Sequence, residues 1–364
     1  MNKKVCCLVA AFAVPVVAQA QSSVTLYGIL DSGLEFLTNS NKTSSSQISL
    51  QAGNYYGNRW GILGREDLGG GLVAFFNLES GFSINDGTAS QSGRLFGRRA
   101  YIGLKKDGAE IRLGRLRSLL YEDGVHFDPN ALSTYAADSH DLGFVTRPDN
   151  AVMLRKKVGN FTADFLYSFG YDSVAVPYGA TSATASQGKL ISGALTYSTA
   201  PFAITAIYEK IHGPLTSGAF GVGILSPVLT PKQSSSADRV ERYMVATRWT
   251  LGNNSAYIGY RFLKATIGGV GRDVNMVYLG DRYNFSPSWS TSATVYHSRV
   301  SGMDVRPTTA VVDVEHFLSK RTSIYLNTSY VFNTKLSTLG VHAGGQTLPG
   351  KNQFGTQLGI VHRF

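Results

Sequence analysis

From Ser23 onward the chain breaks into short segments in which apolar side chains alternate with polar or small ones, the period of an extended strand with two unlike faces. Thr322-Ser-Ile-Tyr-Leu-Asn-Thr-Ser-Tyr-Val331 and Ser255-Ala-Tyr-Ile-Gly-Tyr-Arg-Phe-Leu263 are two of them. Leu190 to Tyr197 and Ala203 to Ile211 form a pair joined by Ser198-Thr-Ala-Pro201, where proline suits a tight turn and would damage a central strand. The connections are of two kinds. Seven are short, near Asp67–Gly71, Lys105–Gly108, Val158–Asn160, Ser198–Pro201, Leu251–Asn254, Phe285–Ser288 and Ser319–Arg321. Eight are longer and polar or rich in glycine and serine, near Thr38–Gly57, Ser83–Gly93, Arg117–Pro148, Asp172–Gly188, Gly213–Arg239, Thr266–Asp273, Val300–Pro307 and Asn333–Gln353.

Seven turns and eight loops join sixteen strands, an even number whose first and last members can pair and close a barrel. A barrel of that size leaves an aqueous channel, whereas roughly eight strands would be filled by side chains. The expected fold is therefore all-β: a transmembrane antiparallel barrel with short turns on one rim and long loops on the other. A soluble sandwich or propeller has no need of alternating connection lengths. Nor would it place aromatic residues such as Tyr283, Phe285, Phe317, Tyr325, Tyr330 and Phe332 near strand ends, where interfacial girdles belong.

Met1 to Ala20 reads as a signal peptide, with Lys3 and Lys4 ahead of the apolar run Val5 to Val17 and Ala18-Gln19-Ala20 as the cleavage signature. The barrel domain then spans residues 21–364, with Gln21 as the first mature residue. Both cysteines, Cys6 and Cys7, fall inside the leader, so the mature chain has no thiol, disulfide or zinc–thiolate site. No later stretch approaches the roughly 18 apolar residues of a membrane helix. Only 16% of residues are charged, against roughly 25% in soluble domains. An exported chain so poor in charge and without helical spans satisfies its backbone in lipid by closing a barrel. The formal net charge is +10, and removing Lys3 and Lys4 leaves +8. The basic residues are scattered singly along strands, which argues for a bias on ion flow and against nucleic-acid binding.

Several segments resemble the general porins of Gram-negative bacteria, in particular the beta-proteobacterial type. Ser23-Val-Thr-Leu-Tyr-Gly-Ile-Leu-Asp31 is similar to the family's first strand. The stretch Asn58-Arg-Trp-Gly-Ile-Leu-Gly-Arg-Glu-Asp-Leu-Gly-Gly-Gly-Leu72, running into Phe76-Asn-Leu-Glu-Ser-Gly-Phe82, resembles its second hairpin. Leu95-Phe-Gly-Arg-Arg-Ala-Tyr-Ile-Gly-Leu104 with Leu113-Gly-Arg115 resembles the third, Arg147-Pro-Asp-Asn-Ala-Val152 the return from the third loop, and His362-Arg-Phe364 the terminal aromatic. The resemblance is specific over the first 160 residues and at the C-terminus, and a matter of pattern between them. It implies an outer-membrane homotrimer of sixteen-stranded barrels, surrounded by lipid and lipopolysaccharide, with the third loop, about Arg117 to Arg147, folded into each lumen. It also implies that Phe364 serves recognition by the outer-membrane assembly machinery.

The family narrows its pore between a basic wall and acids of the inserted loop. By motif, Arg59, Arg98 and Arg147 match the basic cluster, with Arg115 a fourth. Arginine suits the place because it keeps its charge beside like charges. Where the family carries a base this chain has Leu63, and Arg65, two residues on and so on the same face, restores the charge. Arg98 and Arg99 are adjacent, so one of them faces the lumen unless a bulge intervenes; the motif favours Arg98. The loop acids are Glu122, Asp123, Asp128, Asp138, Asp141 and Asp149, of which Asp138 and Asp141 are preferred as the acids opposite. Asn77 and Glu79 alternate with Phe76 and Leu78 and should face the lumen. The run Asp138-Ser-His-Asp141 makes a poor catalytic set, because adjacent Ser139 and His140 cannot easily hydrogen-bond. The expected function is passive diffusion of small hydrophilic solutes with a preference for anions, and no cofactor or catalysis. A channel specific for organic acids or sugars is the alternative, marked by a competable conductance block.

Overall fold

The structure, a computed structural model, describes residues 22–40, 44–130, 133–172, 188–213, 215, 224–225 and 235–364. The leader, most of the fifth loop and much of the fourth fall outside the described residues. Seventeen strands follow in chain order: β1 Ser23–Ser40, β2 Ser45–Ala52, β3 Arg59–Asp67, β4 Val73–Gly81, β5 Arg99–Lys106, β6 Ala109–Arg115, β7 Ala151–Val158, β8 Phe161–Ser168, β9 Leu190–Thr199, β10 Phe202–His212, β11 Arg239–Leu251, β12 Asn254–Ile267, β13 Val270–Ser286, β14 Trp289–Val300, β15 Thr308–Phe317, β16 Thr322–Phe332 and β17 Gln353–Arg363. From β3 to β17 each strand pairs antiparallel with the next.

β1 closes the cylinder. One of its edges pairs with β17, from Ile29↔Arg363 to Leu37↔Gly355. Its other edge is divided: Ser23–Ile29 pair with β3, and Ser32–Ser40 pair with β2. The wall is thus a closed barrel of sixteen strands, and β2 is an additional hairpin arm within the first loop. At the seam Phe364 and Gly28 exchange backbone hydrogen bonds of 3.1 and 3.0 Å. The Phe364 ring lies flat on Gly28, where a Cβ would stand 2.2 Å from its Cζ, so only glycine admits the ring.

All seven short turns occur where expected, down to the two-residue links Asp107–Gly108 and Gly252–Asn253. One long loop does not. Thr266–Asp273 is a tight hairpin, because Gly268 (φ 57°) and Gly269 (φ 79°) supply the two positive φ values that a two-residue turn of matching twist needs. Thr266, Ile267 and Val270 continue the strands instead.

The alternation in sequence becomes two faces. Along β14, Ser290, Ser292, Thr294, Tyr296, Ser298 and Val300 are buried inward while Ala293, Val295 and His297 point out. Outward rows of aromatic side chains mark both ends of the apolar band. Tyr208, Tyr243 and Phe262 form one, with centroids 5.0 and 6.1 Å apart; Phe202–Trp249 and Tyr283–Phe285 belong to the other. Tyr330 and Phe332 pack together on the outside as expected. Tyr325 does not join them. It shares the inward parity of Ser323 and Asn327, stacks on Tyr55 at 5.1 Å and donates to Asp31 at 2.7 Å.

The third loop, between β6 and β7, is folded into the lumen and bonded around its wall. Asn130 Nδ2 donates to Ser292 on β14 (2.9 Å) and Asp313 on β15 (2.7 Å), and Asn327 on β16 donates to Ser133 (2.6 Å). Tyr296 donates to Asp128 (2.6 Å), and Tyr135 to Glu35 on β1 (2.7 Å). The inward faces of these strands carry serine, threonine, asparagine and acids because they must satisfy a polar loop packed against them.

Candidate functional site: an arginine cluster beside the third loop

Between the loop and the wall of β3 to β5, four guanidinium groups converge on one phenol. Tyr121 sits in a single helical turn, Leu119–Glu122, where the Ser118 hydroxyl caps the turn by accepting from the Tyr121 N–H. Arg117 lies over its ring at 4.3 Å and Arg147 at 4.9 Å, and Arg147 Nη2 donates to its hydroxyl at 3.2 Å. Arg59, the first residue of β3, is buried and donates to Gly57 O at 2.8 Å. Arg98 is buried and ion-paired with Glu79 at 2.8 Å. A Cβ on Gly57 would meet the guanidinium groups of both Arg98 and Arg59, so these two stand side by side.

Three of the four residues expected in the basic cluster are therefore brought together: Arg59, Arg98 and Arg147. Arg115 stands apart in a neighbouring group. It donates to Gly97 O and Arg147 O and is ion-paired with Asp149, which also holds Arg94 at 3.1 Å. Its charge is balanced locally rather than aimed across the lumen. Arg117, at the start of the third loop, takes the fourth place.

The choice between Arg98 and Arg99 dissolves. Arg98 donates its backbone N–H to Glu79 O at 3.1 Å, while Arg99 is the register partner of Glu79, so two residues oppose one, as at a bulge. Both side chains reach inward acids, Arg99 meeting Glu122 at 3.2 Å. Asn77 and Glu79 project inward as expected and accept from the Tyr27 hydroxyl at 3.1 and 2.9 Å. Arg65 lies further along β3 and lines a separate hollow with Lys105, Arg155 and Lys157, near the short turns.

Asp138 and Asp141 do not oppose the arginine cluster. Asp141 is fully buried against the far wall, where Arg242 of β11 donates to both its oxygens (2.9 and 3.0 Å) and Arg261 of β12 stands 2.7 Å away. Burial alone would raise its pKa, but Arg242 and Arg261 outweigh that and hold it down to about 2. Asp138 has a buried oxygen with no partner; burial and the charge of Asp128 push its pKa up to about 7, which removes it as a firm counter-charge. The acids that do meet the basic wall are Glu79 and Glu122. His140 is held by Ser298 and Thr309 at 2.8 Å each, and Ser139 donates to Ala136 O, so neither is directed at the other.

On the side toward the short turns the space past the loop is bounded by Tyr56, Arg59, Arg117, His126, Arg248 and Arg282. Sequence reasoning passed over Arg242, Arg248, Arg261 and Arg282. Their signal was parity: Arg261 falls between outward Tyr260 and Phe262, and a charge at that phase must point inward.

A closed barrel with an apolar outside, a polar inside and charged groups beside an inserted loop defines a water-filled channel across a membrane. Comparison with known proteins gives the family. A profile described as Gram-negative porin matches residues 7–336, and the chain belongs to that family. It is 30% identical over 383 residues to outer membrane porin protein 32 of Delftia acidovorans, covering 95% of each chain. It is 28% identical over 359 residues to an outer membrane porin protein of Bordetella pertussis, covering 87% of this chain and 90% of the relative. Among solved structures, an anion-selective porin from Comamonas acidovorans superposes with a TM-score of 0.79 at 24% identity, covering 94% of this chain and all of that one. The trimer form of OmpT from Vibrio cholerae gives 0.67 at 14% identity, covering 94% and 99%. The protein is an outer-membrane porin: a passive channel for small hydrophilic solutes.

Proposed function

We propose that this porin prefers anions and that Arg59, Arg98, Arg117 and Arg147 form the narrow, selective part of its pore. The observation that carries the reading is an excess of positive charge beside the inserted loop. Four guanidiniums gather around Tyr121; among the described residues Glu79 is paired with Arg98, and Glu122 stands 3.9 Å from Arg117 but is shared with Arg99 and Arg112, while Asp141 is held by another pair of arginines. A ring of fixed charge at a constriction sets which ions enter. The name of the Comamonas relative, an anion-selective porin, agrees with this sign. The test is Arg59→Glu, which reverses one charge: the zero-current potential in a salt gradient should move toward cations, and no shift would remove Arg59 from the constriction. The pore-lining groups are accounted for by solute passage, and we assign the chain no catalytic role.

The chain works as a homotrimer in this reading. Leu34, Leu326 and Leu358 are exposed apolar residues on the outside of β1, β16 and β17, and none of those three strands carries an Asp, Glu, Lys or Arg outward. Such a face suits packing against like subunits. On the opposite side the register aligns Lys210, Glu241, Lys264 and Asp273 in an outward row just above the Tyr208–Tyr243–Phe262 girdle, with Arg239 3.6 Å from Glu241. A charged row at that height suits lipopolysaccharide phosphates and their counter-ions. Phe364, exposed at the seam, remains the residue assigned to recognition by the assembly machinery. The leader is assigned to residues 1–20.

A further inference from the structure

We propose that Tyr121 is a selectivity-determining residue of the pore: its hydroxyl, on losing its proton, supplies the counter-charge to Arg59, Arg98, Arg117 and Arg147 and lowers the channel's preference for anions. The inference rests on the anion-preferring reading of that cluster.

The geometry comes first. A phenol ring carrying guanidinium groups at 4.3 and 4.9 Å is held by cation–π contacts that orient both arginines. Its hydroxyl oxygen already accepts from Arg147. The cluster is short of acceptors, because the buried Nε atoms of Arg117 and Arg147 have no hydrogen-bond partner. Tyr121 itself is buried, so a charge on its oxygen would be screened little by water.

Tyr121 lies in the third loop, off the spanning strands. Burial opposes ionisation of its phenol, but Arg147, Arg117, Arg98 and Arg59 together outweigh it and bring the pKa down to about 7. Of the elements around it, β9 carries no Asp, Glu, Lys, Arg or His, and the others bring titratable or charged groups. β3 brings Arg59, β4 brings Glu79, the start of β5 brings Arg98 and Arg99, and β10 brings Glu209, which is engaged by Arg242. The loop itself adds Arg117, Glu122, Asp123, His126 and Arg147. Asp141 caps the turn that packs on this one, and it is held by Arg242 and Arg261. Of the loop groups among these, Asp123 is the rival, since burial and the charge of Asp164 push it up to about 7 as well, while burial lowers His126.

Below neutral pH the phenol is uncharged and the cluster shows its full positive charge. Above it, one unit is cancelled; even at a water-like dielectric and about 5 Å from the permeating ion this shifts anion and cation about fourfold each in opposite directions, and so their permeability ratio on the order of tenfold. The experiment uses the purified full-length porin in planar bilayers under a KCl gradient, from about pH 6 to about pH 8. The wild-type ratio should fall across this interval; Tyr121→Phe, which keeps the ring, should hold the acid-limb ratio throughout; and Asp123→Asn should keep the wild-type step. A Tyr121→Phe channel that retains the step, or a step abolished by Asp123→Asn alone, overturns the proposal. Phenolate absorbance in the near ultraviolet gives a reading independent of the channel: wild type minus Tyr121→Phe should show one phenolate titrating near neutrality, and its absence overturns the proposal too. If the channel proved cation-selective at every pH yet lost anion permeability over this interval only with Tyr121 present, the anion preference would fail and the role of Tyr121 would stand.

Discussion

Asp141→Asn should loosen the third loop without weakening the barrel. Asp141 accepts two hydrogen bonds from Arg242 and faces Arg261 at 2.7 Å, all three side chains being fully buried. It also accepts from the Gly143 N–H at 2.9 Å, which closes the following turn. The neutral amide takes away the carboxylate that both buried guanidiniums share, while Glu209 stays 3.3 Å from Arg242. Removing one partner of a buried ion pair costs about 3–5 kcal/mol. Proton linkage gives a figure of similar order. The lowering of Asp141 from 3.8 to about 2 corresponds to about 2–3 kcal/mol of docking energy. Because the folded-state pKa is depressed, that energy is fully present above the ordinary carboxylate range and is lost only as pH falls through about 2. Wild type therefore stays docked at neutral pH, while the variant is loosened at every pH. Single-channel recording is the assay: the variant should flicker and show a changed mean conductance, with heat stability of the wall preserved because its ladder bonds are untouched. A variant with wild-type conductance and noise would show that Asp141 does not hold the loop.

Gly28→Val should impair closure, since a side chain there meets the Phe364 ring; the expected cost of about 1–3 kcal/mol would appear as less folded protein in a heat-modifiability gel, and wild-type yield would contradict the seam geometry. Arg65→Ala should shift the zero-current potential far less than Arg59→Ala, because Arg65 lines a hollow near the turns and not the cluster; equal shifts would relocate the selective region. The mature protein isolated from outer membranes should begin at Gln21 on N-terminal sequencing, and a retained leader would refute the cleavage assignment.

The wall was legible because lipid and water act on every strand alike. Alternation and turn chemistry placed seven turns, and the Arg98–Glu79 pair follows from two motif residues that face the same way. What escaped depends on contacts far apart in sequence. Asp138 and Asp141 stand three residues apart in a loop whose path no periodicity describes, and only its route across β11 and β12 sends Asp141 to Arg242 and Arg261. Tyr325 reads as a girdle residue by its position near a strand end, and parity, which puts it opposite Asp31, is the stronger signal. β2 was hidden because Ser45–Ala52 is polar enough to pass for loop, although Ile48 and Leu50 already alternate. Gly268 and Gly269 read as part of a glycine-rich loop, yet they are the whole turn, because the flanking residues continue the strands.

Whether arginine charge governs passage is read from the sign of the zero-current potential of the wild-type protein, measured across a planar bilayer with KCl concentrated on one side. Arginine charge around Tyr121 predicts a stepwise conductance whose potential reports chloride crossing faster than potassium. A potential of the opposite sign, or a bilayer that stays sealed after insertion, would contradict it.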